Sequence, residues 1–442
     1  MVVDMRDMKD SGIMSIGNIP IDWSVCRIKN LFVDGVNGIK VGPFGSSLGS
    51  AVVSGDEGQY KVYGQANLIR RDFTYGDNYV KEKDYHRLKG YEVLPGDITV
   101  SMMGTIGKCA VVPMNIQKGI MDSHLIKIRL KDNYCPKYFE YLYESDAIFT
   151  QLLLKNKGSI MTGLNSSIVK GIYFLEPLLN EQQTIADFLD AKCAEIDALS
   201  ADIQSEIDTL EAYKRSVITE AVTKGLDKNV PMKDSGTPWC PQIPSHWKYT
   251  NPKALFTQRL DRAYTGERQL TASQEYGIVY QDEFMEMTGN RVVTVIKDFS
   301  ILKHVEPGDF VISMRSFQGG LEYSEVKGCI SSAYVMLIPN KKLVYPPFYK
   351  WFFKSDKYIN AIQSTSNLVR DGQAMRYANF VQVPLFIIPL EEQKRIADYL
   401  NKRVSEIDGV LKIKQKQLAI LAEYKKSIIY EYVTGKKEVP VT

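Results

Sequence analysis

A stretch of about forty residues in the middle of the chain is written again at its end, and this internal repeat constrains the fold more than any other feature. Pro177-Leu-Leu-Asn-Glu-Gln-Gln-Thr-Ile-Ala-Asp-Phe-Leu189 is echoed by Pro389-Leu-Glu-Glu-Gln-Lys-Arg-Ile-Ala-Asp-Tyr-Leu400. From Ile185 and Ile396 the correspondence runs without gaps through Glu195-Ile-Asp197 and Glu406-Ile-Asp408 to Tyr213-Lys-Arg-Ser216 and Tyr424-Lys-Lys-Ser427. In the first copy Ile185, Leu189, Ile196, Leu199, Ile203, Leu210, Val217 and Ala221 recur at helical spacing with acids and lysines between them. The second copy places Ile396, Leu400, Ile407, Val410, Leu418, Leu421, Ile428 and Tyr432 at matching positions, with Lys414 where the first has Ile203 and Gly409 as a local weak point. Each copy therefore predicts an amphipathic helix of roughly 38 residues, on the order of 57 Å long. A stripe of that length needs an apolar partner, and the other copy is the obvious one, giving two long antiparallel helices in a coiled coil.

A second echo precedes each intervening domain. Met8-Lys-Asp-Ser-Gly12 with Ile19-Pro20 and Trp23 is matched by Met232-Lys-Asp-Ser-Gly236 with Ile243-Pro244 and Trp247, and Leu31-Phe32 and Leu255-Phe256 follow at equal distances. The chain thus reads as domain, helix, domain, helix: residues 1–178, 179–230, 231–388 and 389–442. Between these fixed points the halves share mainly Pro95-Gly-Asp97 and Pro307-Gly-Asp309, then Ser101-Met102 and Ser313-Met314. Each Pro-Gly-Asp predicts a turn leading into an alternating strand, while Pro136 and Pro347 mark helix starts. The expected class is α+β, two globular recognition domains separated by the paired helices in a pseudo-twofold repeat. A common scaffold with different contents suits two separate specificities.

Composition narrows the function. A net charge of +3 conceals an uneven distribution, with 5 Lys+Arg against 12 Asp+Glu in residues 176–231 and 11 against 8 in residues 389–442. An acidic helix beside a basic one favours their pairing, although exposed ion pairs are individually weak. The six cysteines and four histidines are scattered without zinc or redox spacing, so no metal site is expected. No apolar run reaches membrane-spanning length, and Met1 to Asp10 does not look like a signal peptide, which makes a cytoplasmic protein with no membrane partner the expectation.

The twin Ile-Ala-Asp-[Phe/Tyr]-Leu helices and the twin Lys-Asp-Ser-Gly…Ile-Pro…Trp openings resemble the specificity subunit of type I restriction-modification enzymes over essentially the whole chain. The resemblance implies two target-recognition domains, each reading one half of a split, asymmetric sequence in double-stranded DNA, with the helices setting the spacer. It also implies a non-catalytic chain that recruits two modification subunits, which use S-adenosylmethionine to methylate adenine, and restriction subunits, which use ATP and Mg. A second expectation is an orphan member that serves as a reservoir of recognition domains.

The residues agree with that division of labour. Tyr345-Pro-Pro-Phe348 puts a tyrosine where an adenine methyltransferase needs an acceptor for the amino protons of the base. Asp309…Glu325-Val-Lys327 loosely fits a nuclease pattern, but the first half lacks the matching acid. Gly104-Thr-Ile-Gly-Lys108 is too short for a phosphate-cradling loop and is followed by Cys109.

Bases are read by Arg, Lys, Asn, Gln and hydroxyl side chains on loops and helix ends, and phosphates are held by cations and free amides. In the first domain these criteria select Gly42, Ser46 and Ser47, then Lys61, Tyr63, Gln65 and Asn67, and Arg70 with Arg71. Thr105 and Lys108 complete that set. In the second they select Arg259, Arg262, Arg268, Ser273 and Gln274, then Lys303, Arg315, Ser316 and Gln318, and finally Arg370, Gln373 and Arg376. Arg315 and Gln318 lead the second set because they follow the shared Ser-Met.

Overall fold

The Pro-Gly-Asp turns do lead into strands, and those strands lie inside two sheets of the same design. The computed structural model describes residues 6–55, 57–155, 163–295, 299–313, 316–365 and 375–440. The chain divides into two compact units, residues 1–202 with 417–442, and residues 203–416. Both mix helix and sheet.

In unit 1, β1 (Ile39–Val41), β2 (Ile98–Ser101), β3 (Cys109–Val111) and β4 (Leu125–Ile128) form an antiparallel sheet in the order β3-β2-β4-β1. Every residue of β2 and β4 is buried, as expected of central strands covered on both faces. A second sheet pairs Tyr60–Tyr63 in parallel with Gly119–Met121. The strand Tyr173–Glu176 then leads into the long helix α1 (Leu179–Lys224). In unit 2, β5 (Phe256–Arg259), β6 (Phe310–Ile312), β7 (Glu322–Tyr323) and β8 (Val335–Pro339) repeat the plan in the order β7-β6-β8-β5. The long helix α2 (Leu390–Val433) follows.

The repeated motifs prove to be the joints between domain and helix. Trp23 Nε1 donates to Glu181 Oε2 at 2.9 Å in unit 1, and Trp247 Nε1 donates to Glu392 Oε2 at 3.1 Å in unit 2. The neighbouring glutamines are buried and bonded through both the oxygen and the nitrogen of the amide. Gln182 accepts from the Cys135 N–H (2.9 Å) and donates to the Pro177 carbonyl (2.8 Å), whereas Gln393 accepts from the Tyr345 N–H and donates to the Leu343 and Ile388 carbonyls, each at 2.8 Å. Each glutamine thereby ties the start of a long helix to the proline-led helix of its domain, Pro136–Glu144 or Pro346–Phe352. A glycine with positive φ ends both long helices, Gly225 at +73° and Gly435 at +69°.

The helices run to 46 and 44 residues, longer than the repeat alone predicts, because the first turn after each proline is already helical. Inside each unit they pair antiparallel. In unit 1, Lys425 meets Asp197 (2.5 Å) and the Phe188 ring packs at a tilt against Tyr432; in unit 2, Lys214 meets Asp408 (2.6 Å), Lys414 meets Glu206 and Arg403 meets Tyr213. Ile185, Leu189, Ile196, Ile203, Ile396, Leu400, Ile407 and Ile428 are buried, and Leu210, Val217, Leu418 and Leu421 are half-buried. Leu199 is a correction, being 49% exposed, and Val410 is exposed with it. The seam passes instead through Cys193, Ser200, Ile207 and Lys214 in α1, and through Val404, Leu411, Lys414 and Lys425 in α2. Together with Ile196, Ile203 and Leu210 in α1, and Ile407, Leu418 and Leu421 in α2, these positions alternate steps of three and four, the knobs-into-holes spacing of a coiled coil.

Candidate nucleic-acid interface

In unit 1 the segments that follow β1, β2, Tyr60–Tyr63 and Gly119–Met121 meet around Asp122-Ser-His124. A side chain on Gly42 would collide with the Asp122 carbonyl oxygen at 1.8 Å, so the loop after β1 can lie there only as glycine. A side chain on Gly64 would meet the Asp122 carboxylate, and the Met102 N–H donates to the His124 carbonyl at 3.0 Å. Burial pushes the Asp122 carboxyl above the usual range, against the hydrogen bond from the His124 N–H (2.8 Å), which holds it down.

Onto this rim the fold brings part of the first predicted set. Gln65 opens the helix Gln65–Arg70 and donates to Ser101 Oγ (2.7 Å), Thr105 Oγ1 (2.7 Å) and the Met103 carbonyl (2.5 Å). It fixes the loop after β2. Lys108 is 57% exposed and only loosely paired with Glu144 at 3.6 Å. Ser46 is exposed, and Ser47 holds Arg87 through its carbonyl at 3.1 Å. Arg70 is exposed over the Tyr75 ring.

Other members of that set are corrected. Lys61 is buried and donates to the Thr74 and Gly76 carbonyls (3.1 and 2.8 Å), so its charge closes an internal loop. Tyr63 is fully buried with its hydroxyl on the Gln117 carbonyl, and burial pushes that hydroxyl up to about 12. Asn67 is buried, accepting from the Gly64 N–H (2.9 Å) and donating to the Asp72 and Tyr75 carbonyls (3.0 and 2.8 Å). Arg71, at φ +53°, ends its helix and pairs with buried Glu140 and with Glu144. All four spend polar atoms on the fold, Arg71 alone remaining half exposed.

Unit 2 has an equivalent rim after β5, after β6, at the turn between Leu270–Ser273 and Gly277–Tyr280, and at Ser331–Tyr334. Gln318 is exposed in the short helix Ser316–Gly319, which packs against Gln274 on the hairpin turn. Ser273 accepts from the Glu275 and Tyr276 N–H groups to shape that turn. Arg262 is exposed but donates to the Ile301 carbonyl (3.1 Å), and Arg376 is exposed at the start of Tyr377–Phe380. Arg315, Arg370 and Gln373 lie outside the described residues.

Three expectations in this set are also corrected. Arg259 is held bidentate by buried Asp309 (2.7 and 3.0 Å) and by Asp261. Lys303 donates to the Tyr334 carbonyl at 2.6 Å, and burial pulls its ammonium down. Ser316 is fully buried and accepts from the Ser313 N–H. Arg268 is exposed, lies over Tyr280 and pairs with Asp282 and Glu283 at the surface.

The rims also hold residues outside the predicted sets: Phe44, Ser123 and His124 in unit 1, and Leu260, Ser331 and Ser332 in unit 2. Their common signal is position at strand ends, visible only once the strands are paired.

Comparison with known proteins accounts for this layout. Residues 51–209 match the family model described as the type I restriction modification DNA specificity domain. A Methanocaldococcus jannaschii chain assigned as the specificity subunit of the type I restriction enzyme MjaX is 24% identical, with 96% of each chain covered. The MjaVIII specificity subunit of that organism is 22% identical over 99% of each chain. The EcoBI specificity subunit of Escherichia coli is 22% identical over 79% of this chain and 75% of its own. In fold, the chain resembles one from a structure of a type I R-M system (TM-score 0.68, 14% identity, 95% and 99% covered) and the HsdS subunit from Thermoanaerobacter tengcongensis (TM-score 0.51, 14% identity, 95% and 98% covered). With its twin openings, twin helices and twin sheets, the chain carries a match to the type I restriction modification DNA specificity domain and is similar over nearly its whole length to specificity subunits of type I restriction enzymes.

Proposed function

We propose that this chain reads a bipartite, asymmetric target in double-stranded DNA, one half with each unit, and carries that choice to modification and restriction subunits. The carrying observation is that two sheets of identical strand order offer different side chains at equivalent rims: Gln65, Thr105, Lys108 and His124 in unit 1, Arg262, Gln318 and the Ser331-Ser332 pair in unit 2. Equal frames with unequal contents produce two different readings.

The chain is non-catalytic, as specificity subunits are. It takes no cofactor in this reading: S-adenosylmethionine belongs to two modification subunits, ATP and Mg to the restriction subunits, and the complex works in the cytoplasm. None of its helices is long and apolar enough to cross a membrane among the described residues. Affinity selection from random-sequence duplexes, by the full chain with its modification subunits, tests the reading. Two short enriched blocks at a constant separation are expected; a single contiguous block, or no enrichment, contradicts it. Weaker binding with rising salt is expected in either block, since phosphate contacts release counterions.

A further inference from the structure

Phe44 is 83% exposed, the most exposed aromatic side chain among the described residues. Its backbone, in contrast, is braced. On one side the Gly42 N–H donates to the Leu125 carbonyl (2.9 Å) and Pro43 is buried. On the other, Phe44 starts the turn Gly45–Leu48, its carbonyl accepts from the Ser47 N–H (2.8 Å), and Leu48 and Ala51 are buried in a core cluster. A loose loop would fold its phenylalanine inward to hide about 1.5–3 kcal/mol of apolar surface. This loop is fixed at both ends and cannot.

The side chain therefore stands out from the rim by construction, and its surroundings say into what. Ser46, Lys108 and His124 on the same rim are exposed and polar or basic, and Met103 is exposed there too, so Phe44 projects from a surface that is mainly polar rather than from the broad apolar patch that a protein partner needs. Unit 2 repeats the placement without repeating the sequence. Leu260, 77% exposed, directly follows β5, the counterpart of β1, and is held between Arg259 on Asp309 and the Asp261 carbonyl on the His304 N–H. Apolar side chains projecting from a basic, polar surface can enter a duplex between two base pairs, unstacking one step.

We propose that Phe44 is such a wedge, entering the DNA at one base step of the half-site read by unit 1. The proposal rests on the reading of unit 1 as a DNA reader. Its test uses the full chain with its modification subunits and duplexes carrying the selected sequence, with 2-aminopurine placed at successive positions of that half. Wild type is expected to raise fluorescence at one step, whereas Phe44→Ala abolishes the rise and weakens binding at least about tenfold, the equivalent of burying one phenylalanine less; Phe44→Trp retains both. Unchanged fluorescence and affinity in Phe44→Ala overturn the wedge, provided that exchanging residues 1–178 for those of another specificity subunit still changes that half of the selected sequence. If the exchange changes nothing, the reading of unit 1 fails instead. Loss of the modification subunits from the Phe44→Ala complex, with free-chain DNA binding intact, would also overturn the wedge, because Phe44 would then be a protein contact.

Discussion

Asp97 and Asp309 sit in the repeated Pro-Gly-Asp turns, and each is buried against an arginine that it holds with both oxygens. Each also accepts a turn N–H, from Leu94 or Glu306, at 2.8 and 2.9 Å. The arginines are not equivalent: Arg129 follows β4, whereas Arg259 ends β5. The repeat in sequence exposes the acids, but their partners depend on which strands lie side by side. That is why Arg259 reads as a DNA contact in the sequence and as an internal clamp in the fold. Replacing Asp97 with Ala is expected to destabilise unit 1 by about 3–5 kcal/mol in denaturant titration, since it strands a part-buried arginine. Lysines divide in the same way. Lys61→Ala should cost about 1–3 kcal/mol of stability through two orphaned carbonyls. Lys108→Ala should leave stability alone and weaken DNA binding uniformly across sequences, with a salt slope smaller by about 1.

At the scale of elements, the long helices were the most legible feature and their contact face the least. Period alone allows Leu199 as well as Ser200 after Ile196, and apolarity favours the leucine. The structure takes Ser200, whose hydroxyl donates to the Ile196 carbonyl at 2.8 Å, because the partner helix selects steps of four and three. Polar seam residues disguise that rhythm: Lys214 and Lys425 lie on it, reaching out to Asp408 and Asp197. Ile207→Ala is accordingly expected to cost about 2–5 kcal/mol, and Leu199→Ala well under 1 kcal/mol, in paired thermal or denaturant melts. The Pro-Leu…Glu-Gln and Ile-Pro…Trp echoes were visible as repeats, but their purpose was not. Trp247→Phe removes the bond to Glu392 and leaves a small cavity where the larger indole was buried, with an expected loss of about 1–3 kcal/mol.

For the whole molecule, duplication supplies the frame and divergence supplies the reading. Both sheets follow one strand order, and both joints use a tryptophan on a glutamate and a glutamine on a proline-led helix. Between those shared parts the rims differ in nearly every side chain. The resemblance to specificity subunits and the plan of the fold could be read from the sequence because they rest on repeats and spacing. The rim residues could not, because a lysine that closes a loop and one that waits for a phosphate are the same letter. The most direct test is methylome sequencing of cells that express this chain with its modification subunits, before and after residues 1–178 are exchanged for those of another specificity subunit. The account predicts a bipartite methylated-adenine motif in which the exchange alters one half and leaves the other intact; a change in both halves, or in neither, would contradict it.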